Sequence, residues 1–242
     1  MDATYVKEME RLANEGRVIE KDGETFSSLR MQPVFYEPRP GAVKVRSLTA
    51  LLDYLRANRD GLKYEDLILH VQSVGEVAIM SKLSGKDRQR DTYMIAGYDG
   101  TVFKFGNWYD PESFIIAVNA LFIPSTGRDE ILHYVSAIKV EDEGQITDDG
   151  ITQTAQVRIG IKGSLTEGKA APSRVVLVPY RTFREVEQPE SEFIFRMRRE
   201  GTGVQLSIHE ADGGAWKAVA MERVKGYLED ELGDAIPVSV IA

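Results

Sequence analysis

The sequence predicts an α+β fold in which antiparallel sheets, several packed helices and an extended N-terminal arm make up one chain. Segments with the two-residue alternation of strands and segments with the apolar spacing of helices both occur. They do not follow one another in regular strand–helix alternation, as they would in a parallel α/β fold. Turn residues between neighbouring strand-like segments favour hairpins, and hairpins build antiparallel sheets.

The overall composition is typical of a globular protein with a substantial hydrophobic core. The chain has 242 residues, of which 43% are hydrophobic and 28% are charged, and its formal net charge is −8. We predict an N-terminal helix and arm over residues 1–41 and a single α+β domain over residues 42–242. An acidic stretch at residues 141–150 is the candidate boundary between two lobes of that domain.

The N-terminal segment predicts a short amphipathic helix followed by an arm. Val6, Met9 and Leu12 have helical spacing within residues 3–14. Residues 15–41 contain three prolines and no sustained period, which predicts an extended arm. Because the arm carries large apolar side chains, we expect it to pack on its own domain or on a neighbouring subunit.

The next segment predicts a capped helix and then three antiparallel strands. Ser47 is a suitable N-cap for a helix whose apolar face consists of four leucines. These leucines are Leu48, Leu51, Leu52 and Leu55. The strand-like segments cover residues 66–73, 76–84 and 90–98, and the turn residues between them predict an antiparallel meander.

Two helices and an acidic loop are predicted next. Asp110 as N-cap and Pro111 at the first helical position predict a helix over residues 111–122, which is apolar nearly all round and should therefore be buried. A second helix is predicted over residues 128–140. Residues 141–150 contain five acids and no base, and we predict a loop or hinge there.

The C-terminal part of the chain predicts mainly strands. These strands cover residues 151–163, 174–180, 190–200, 204–211 and 237–242. A flexible loop is predicted over residues 164–173, between the first two of them. The third and fourth strands should form a hairpin, which places Phe193, Phe195 and Met197 on one face.

Residues 208–217, with the sequence IHEADGGAWK, predict the junction between the last hairpin strand and a helix over residues 215–232. The glycine pair supplies the tight change of direction, where a backbone without Cβ is needed. His209 and Glu210 are adjacent on a strand and point to opposite faces, so they do not share a metal site. The stretch therefore predicts a structural turn rather than a catalytic centre.

Several chemistries are excluded by what the sequence lacks. The chain has no cysteine, which excludes disulfides, thiolate zinc sites and cysteine nucleophiles. No serine nucleophile elbow, phosphate-binding P-loop or dinucleotide-binding glycine motif occurs, and no serine has an evident histidine partner. We therefore predict no cofactor and favour a non-enzymatic role, while enzyme activity stays open. No apolar run approaches the ~18 residues that cross a bilayer, which predicts a cytoplasmic protein without a membrane partner.

Asp148 and Asp149, in the acidic stretch, are the candidates for metal ligands. They precede a segment that carries Arg158 and Lys162, and carboxylates beside cations are used in metal-assisted phosphate hydrolysis. Acidic runs of this kind also occur as solvated loops. Both interpretations stay open from the sequence.

The strongest candidate for ligand binding is a set of arginines. Residues 151–199 contain nine basic and five acidic residues, a net charge of +4 within an acidic chain. Arginine suits bidentate contacts with phosphate. The predicted phosphate-binding residues are Arg181, Arg184, Arg196, Arg198 and Arg199. The alternative, that these arginines pair with nearby glutamates on an exposed hairpin, stays open.

An aromatic cluster at residues 102–109, VFKFGNWY, has two interpretations. Exposed aromatic rings could stack on the bases of a single-stranded nucleic acid. The same rings could pack in the core against the helix that follows, since large aromatic side chains are mostly buried.

Three sequence words, PYRTF, EQPES and EADGGAW, resemble a family of uncharacterised proteins encoded by tailed phages and prophages. The resemblance covers about residues 42–242 and leaves the N-terminal arm outside. It implies a phage origin, an accessory or early-gene role and a location in the host cell cytoplasm. It implies no catalytic residues.

The sequence as a whole therefore predicts a non-enzymatic binding protein that forms a homo-oligomer. Its ligand would be a host protein, a nucleic acid or a phosphorylated small molecule. A second hypothesis is a nucleic-acid-binding protein in phage replication or recombination, which follows from the arginines. A third is a metal-dependent hydrolase that uses the acidic loop.

Overall fold

A computed structural model describes the chain over residues 3–15, 18–21, 24–27, 41–85, 88–136, 146–148, 153–155, 159–161, 164–166, 171–201 and 203–242. The described residues form an α+β fold with helices and mainly antiparallel sheets, as the sequence predicts. The chain divides into two compact units, Met1–Pro40 and Gly41–Ala242.

The first unit contains a helix and a hairpin. Helix α1 (Ala3–Glu15) confirms the predicted N-terminal helix. Strands β1 (Val18–Lys21) and β2 (Glu24–Ser27) pair antiparallel within the segment for which the sequence predicts an extended arm. Residues 28–40, the rest of that arm, lie outside the described residues.

The second unit contains four described helices and twelve described strands. The helices are α2 (Leu48–Ala57), α3 (Pro111–Leu121), α4 (Thr126–Ser136) and α5 (Trp216–Leu232). The strands are β3 (Val43–Val45), β4 (Leu67–Ser73), β5 (Glu76–Ser81), β6 (Thr92–Gly97), β7 (Ile146–Asp148), β8 (Gln153–Ala155), β9 (Ile159–Ile161), β10 (Ser164–Thr166), β11 (Arg174–Leu177), β12 (Ser191–Glu200), β13 (Gly203–Glu210) and β14 (Ser239–Ile241). Short 3₁₀ helices cover Tyr64–Asp66 and Gly233–Ala235.

A five-stranded sheet in the order β14–β4–β5–β6–β3 forms the first layer of this unit. Its centre is the predicted antiparallel meander of β4, β5 and β6. The two outer strands run parallel to their neighbours, because each reaches the sheet through a helix or a long connection. Buried residues of this sheet, of α2 and of α5 form one hydrophobic core, which we call the first cluster.

Helix α2 begins where the sequence predicts. The Ser47 side chain accepts a hydrogen bond from the backbone N–H of Ala50 at 3.2 Å, so it is the N-cap. The predicted leucine face is fully buried. Glu185, far along the chain, also accepts from the N–H groups of Leu48 at 2.7 Å and Thr49 at 3.2 Å, and a carboxylate is favourable at a helix N-terminus.

A three-stranded antiparallel sheet in the order β11–β12–β13 forms the second layer. The predicted hairpin is confirmed by the pairing of β12 with β13 over eight residue pairs. Phe193, Phe195 and Met197 are buried on the inner face, where residues of α3 and α4 meet them. We call this core, which also contains the buried Phe103 and Phe122, the second cluster.

The structure corrects the prediction that helix 111–122 is buried all round. Asp110 caps α3 through the N–H of Ser113 at 3.0 Å, but only Phe114 and Val118 are buried along the helix. Ile116 is 61% exposed, because α3 packs on the sheet through one side only. The predicted buried strand at 174–180 is likewise one-sided, since Val176 is 51% exposed between two buried neighbours.

The segment after α4 differs from the prediction in its boundaries. The predicted loop at 141–150 contains β7, which pairs with β8, and the predicted loop at 164–173 contains β10, which pairs with β9. The predicted strand at 151–163 corresponds to two strands in separate sheets. Three-residue strands are too short to produce a clear alternation. The end of the predicted helix 128–140 lies outside the described residues beyond Ser136.

The two clusters interleave along the sequence. The first contains Leu48 and Phe183, and the second contains Phe103 and Phe193, so each draws on residues before and after the acidic stretch at 141–150. Each cluster therefore combines residues from both sides of that stretch. Among the described residues, no helix combines the length and apolar character that crossing a membrane requires.

One-sided packing of α3 predicts unequal effects of two matched substitutions. Val118→Ala should lower the free energy of unfolding by about 2 kcal/mol, because it removes two buried carbons and leaves a cavity. Ile116→Ala in the same helix should change it by less than about 0.5 kcal/mol, because the side chain is exposed. Urea unfolding measures both values, and equal losses would contradict the observed packing.

Candidate functional site

Arg181, the first of the predicted phosphate-binding arginines, is a buried structural cation. Only 4% of the residue is exposed. Nη1 donates to Glu210 Oε1 at 3.0 Å, and Nη2 donates to Ser191 Oγ at 2.6 Å and to the Pro189 carbonyl at 3.2 Å. The guanidinium carbon lies 3.9 Å from the centroid of the Trp216 ring, close enough for a cation–π interaction.

Asp212 organises the turn next to Arg181. One carboxylate oxygen accepts from the N–H of Gly214 at 3.0 Å, and the other accepts from the Ser191 hydroxyl at 2.8 Å and from the N–H of Trp216 at 3.2 Å. Gly213 and Gly214 have φ values of +63° and +84°, which glycine adopts without steric cost. The predicted structural turn is therefore observed, with Asp212 accepting from one N–H group within the turn and from the first N–H group of α5.

The charge states of both side chains follow from these contacts. Burial raises the pKa of the Asp212 carboxyl, but the N–H of Gly214, the Ser191 hydroxyl, the N–H of Trp216 and the charge of Arg181 together lower it below its ordinary value of 3.8. Burial lowers the pKa of Arg181 from 12.5, while Glu210 and Asp212 oppose that change. The ion pair of Arg181 is with Glu210, and the charge of Asp212 lies close enough to favour it.

Gln188 holds the loop that carries Arg181. Its side-chain oxygen accepts from the N–H groups of Arg181 at 2.9 Å and Thr182 at 3.2 Å, and its Nε2 donates to the carbonyls of Phe183 at 2.8 Å and Val186 at 3.2 Å. The Thr182 hydroxyl donates to the carbonyl of Val74, in the turn that joins β4 to β5 of the first sheet. The loop therefore ties the two sheets together.

Residues of all three motifs, PYRTF, EQPES and EADGGAW, take part in this one buried network. PYRTF contributes Arg181 and Thr182, EQPES contributes Gln188 and Ser191, and EADGGAW contributes Glu210, Asp212 and Trp216. The three motifs therefore stabilise the fold of the second unit. Because the donors of Arg181 point into the protein, we leave Arg181 out of the ligand surface.

The other four predicted arginines are exposed or half-buried, and they do not form a single group. Arg184 stacks on the Tyr180 ring, with 3.5 Å between the guanidinium carbon and the ring centroid. Arg199 shares the strand face of Met197 at the end of the hairpin and lies 3.4 Å from the Gly201 carbonyl. Only Arg196 and Arg198 share a face of β12, as the two-residue period predicts.

We call the sheet surface opposite the inner phenylalanines the outer face. The register places its side chains in rows across β11, β12 and β13. These residues are Arg174, Val176, Glu192, Ile194, Arg196, Arg198, Gln205, Ser207 and His209. Two exposed ion pairs lie on it, between Arg174 and Glu192 at 2.7 Å and between Arg198 and Glu200 at 3.1 Å. Such exposed pairs contribute little and are readily exchanged.

Trp108 is brought to the outer face by a short segment that runs beside β13. The N–H of Gly106 donates to the Ile208 carbonyl at 2.8 Å, and Tyr109 and Leu206 exchange two hydrogen bonds of 2.9 Å. The Arg198 guanidinium carbon lies 4.3 Å from the Trp108 ring centroid. The aromatic segment is therefore divided, because the neighbouring Tyr109 instead contacts the Phe103 ring inside the second cluster.

Ser207 and His209 are in contact on the outer face, a pairing that the sequence does not predict. Ser207 Oγ lies 3.1 Å from His209 Nε2, and the His209 ring lies 6.4 Å from the Trp108 ring in an edge-on arrangement. Residues two apart on a strand share a face, but this spacing is no established catalytic motif. Ser207 has no exposed surface, so the bond orients the imidazole and does not present a nucleophile.

Only one of the two predicted metal ligands, Asp148, is among the residues that the structure describes. Asp148 is the last residue of β7, and Asp149 lies outside the described residues. Among the residues that are described, no group of three or more histidine, aspartate or glutamate side chains could hold a metal ion.

Comparisons with known proteins add no relationship: no family model, no curated protein and no solved structure matches the chain. The resemblance to tailed-phage proteins stays a prediction.

Two neighbouring arginines provide a matched test of the buried network. Arg181→Gln should lower the free energy of unfolding by on the order of 3 kcal/mol, because it leaves buried partners without their cation. Arg184→Gln, three residues away and exposed, should change it by less than about 0.5 kcal/mol. Urea unfolding compares the two, and a small loss for Arg181→Gln would contradict the structural role.

The lowered pKa of Asp212 predicts a pH-dependent contribution to stability. Because the folded-state pKa lies below that of the unfolded chain, the carboxylate stabilises the fold above the unfolded value, and this stabilisation is lost as pH falls through the folded value. Asp212→Asn should therefore lower the urea midpoint near neutral pH, and its difference from wild type should shrink below about pH 3.8. Asp230→Asn, on the exposed side of α5, should not reproduce that pattern.

Proposed function

We propose that the chain is a non-enzymatic binding protein whose outer face binds single-stranded nucleic acid. The observation that carries this proposal is the Arg198 guanidinium over the Trp108 ring, beside His209 and on the same face as Arg196. An exposed cation next to an aromatic ring combines the two contacts that a nucleotide offers, since one recognises phosphate and the other stacks on the base.

The ring and the arginines would contact different parts of the same strand. Base stacking on an aromatic side chain contributes about 1–3 kcal/mol per base and tolerates any base, because every base has a π-face. Arg196 and Arg198 lie about 7 Å apart along β12, given the rise of a strand. Their guanidinium groups can contact phosphates on either side of a base that stacks on Trp108.

The Trp108 ring favours a single strand over a duplex as the ligand. A net charge of −8 opposes the approach of any polyanion. A duplex would offer this surface mainly phosphates, since its bases are stacked inside, whereas a single strand can also stack on Trp108. The binding energy would therefore come from stacking as well as from charge.

The biological setting of this proposal is phage replication or recombination in the host cytoplasm. It rests on the resemblance of PYRTF, EQPES and EADGGAW to tailed-phage proteins, which implies an accessory role. Single strands are exposed during copying and exchange of DNA, so a single-strand-binding surface fits that role.

Binding should be visible in the fluorescence of Trp108. Titration with an oligothymidylate at low salt should quench part of the tryptophan emission, because Trp108 is on the outer face while the other tryptophan, Trp216, is buried. Trp108→Ala and Arg198→Gln should each weaken binding about tenfold, as the loss of about 1.4 kcal/mol requires. Rising salt should weaken it further, because phosphate contacts release counterions.

Arg46→Gln is the matched control for this titration. Arg46 is exposed, pairs with Asp99 beside the first sheet and carries the same charge as Arg198. Its substitution should leave binding unchanged within about twofold. No anisotropy change with labelled single-stranded DNA or RNA, or an equal loss in Arg46→Gln, would count against the proposal.

A further inference from the structure

Helix α1 carries an apolar stripe that stays exposed among the residues that the structure describes. Tyr5, Val6, Met9 and Leu12 are each between 42% and 60% exposed. We call these four side chains the α1 stripe. They lie along one side of the helix, because residues three and four apart are neighbours on a helical surface.

Exposure of the α1 stripe leaves this short helix without the packing that usually stabilises a helix. A helix of 13 residues has marginal stability alone in water, and most helical stability in proteins comes from packing an apolar face. Within α1 the described ion pair between Glu8 and Arg11, with 2.6 Å between the charged atoms, adds only a few tenths of a kcal/mol. Packing of the stripe against another apolar surface would therefore stabilise the helix.

The charges of α1 disfavour a membrane as that partner. Helices that lie on membranes are rich in lysine and arginine on the polar face. Residues 3–15 contain two basic and three acidic side chains, a net charge of −1. Anionic lipid headgroups would therefore not attract the helix.

The spacing of the stripe fits packing against another helix. Tyr5, Met9 and Leu12 are separated by four and then three residues, which is the spacing of positions d, a and d in a heptad. Val6 then falls at position e and widens the apolar surface. A second copy of α1 presents the same pattern, so the two stripes can interdigitate.

The charged positions select a parallel arrangement. With this heptad assignment Glu8 is at position g and Ala13 at position e, and in a parallel pair position g of one helix faces position e of the other. Glu8 therefore meets Ala13 of the second copy without repulsion. In an antiparallel pair position g faces position g, which brings the glutamate side of one helix against the glutamate side of the other.

We infer that α1 of one copy packs against α1 of a second copy as a parallel, in-register helical pair, and that the chain is a homodimer through this contact. The contact uses none of the residues of the outer face, so it is tested independently of nucleic-acid binding. It assigns a role to the amphipathic N-terminal helix that the proposed binding site does not use.

Cysteine cross-linking tests the pairing directly, because the chain has no cysteine of its own. In a parallel, in-register pair the two copies of residue 12 face each other within the ~7 Å between Cα atoms that a disulfide can span. Leu12→Cys treated with diamide, which oxidises the two thiols to a disulfide, should give a dimer on a non-reducing gel. Lys7→Cys, at the outward position f, should stay monomeric.

Two further arms complete the experiment. A mixture of Tyr5→Cys and Leu12→Cys chains that cross-links only between unlike chains would overturn the parallel register. Light scattering after size exclusion should give twice the 27.1 kDa chain mass for wild type and for Lys7→Glu, and a single chain mass for Met9→Glu. A wild-type monomer, or a Met9→Glu dimer, would overturn the inference, and unchanged urea unfolding would show that Met9→Glu leaves the second unit folded.

Discussion

The fold depends on the burial of one cation, the guanidinium of Arg181. A buried charge is costly unless it is paired and hydrogen-bonded. Glu210 at the end of β13, Ser191 at the start of β12 and the ring of Trp216 at the start of α5 supply those contacts. Because these partners belong to separate elements, the charge is accommodated only when all of them are in place. The Arg181 site therefore couples the hairpin, the connecting loop and the last helix.

This coupling separates the structural part of the second unit from the part available to a ligand. The loop that carries Arg181 places Phe183 in the first cluster, while Phe193, after the loop, belongs to the second. Alternation along β12 then turns Arg196 and Arg198 away from that interior and onto the outer face. One strand thus supplies both part of the hydrophobic core and part of the proposed binding surface.

Local patterns made most of the fold predictable. The sequence predicts the leucine face of the helix that Ser47 caps, the meander and the hairpin. These features are predictable because periodicity and capping are properties of neighbouring residues. The candidate site is less predictable from the sequence. Arg181 and Arg198 look alike in sequence, and only partners up to 35 residues away distinguish the buried one. Trp108 reaches the outer face through bridges to β13, which no local pattern encodes. The parallel edge strands were missed for the same reason.

The motifs PYRTF, EQPES and EADGGAW stabilise the fold, and the outer face is the proposed ligand surface. The two tryptophans separate these roles, since Trp216 belongs to the buried network and Trp108 to the outer face. A ¹⁵N–¹H spectrum resolves their two indole N–H signals during titration with an oligothymidylate. The Trp108 signal should shift with saturation while the Trp216 signal stays in place. A shift of the Trp216 signal with a stationary Trp108 signal would contradict the assignment of both sites.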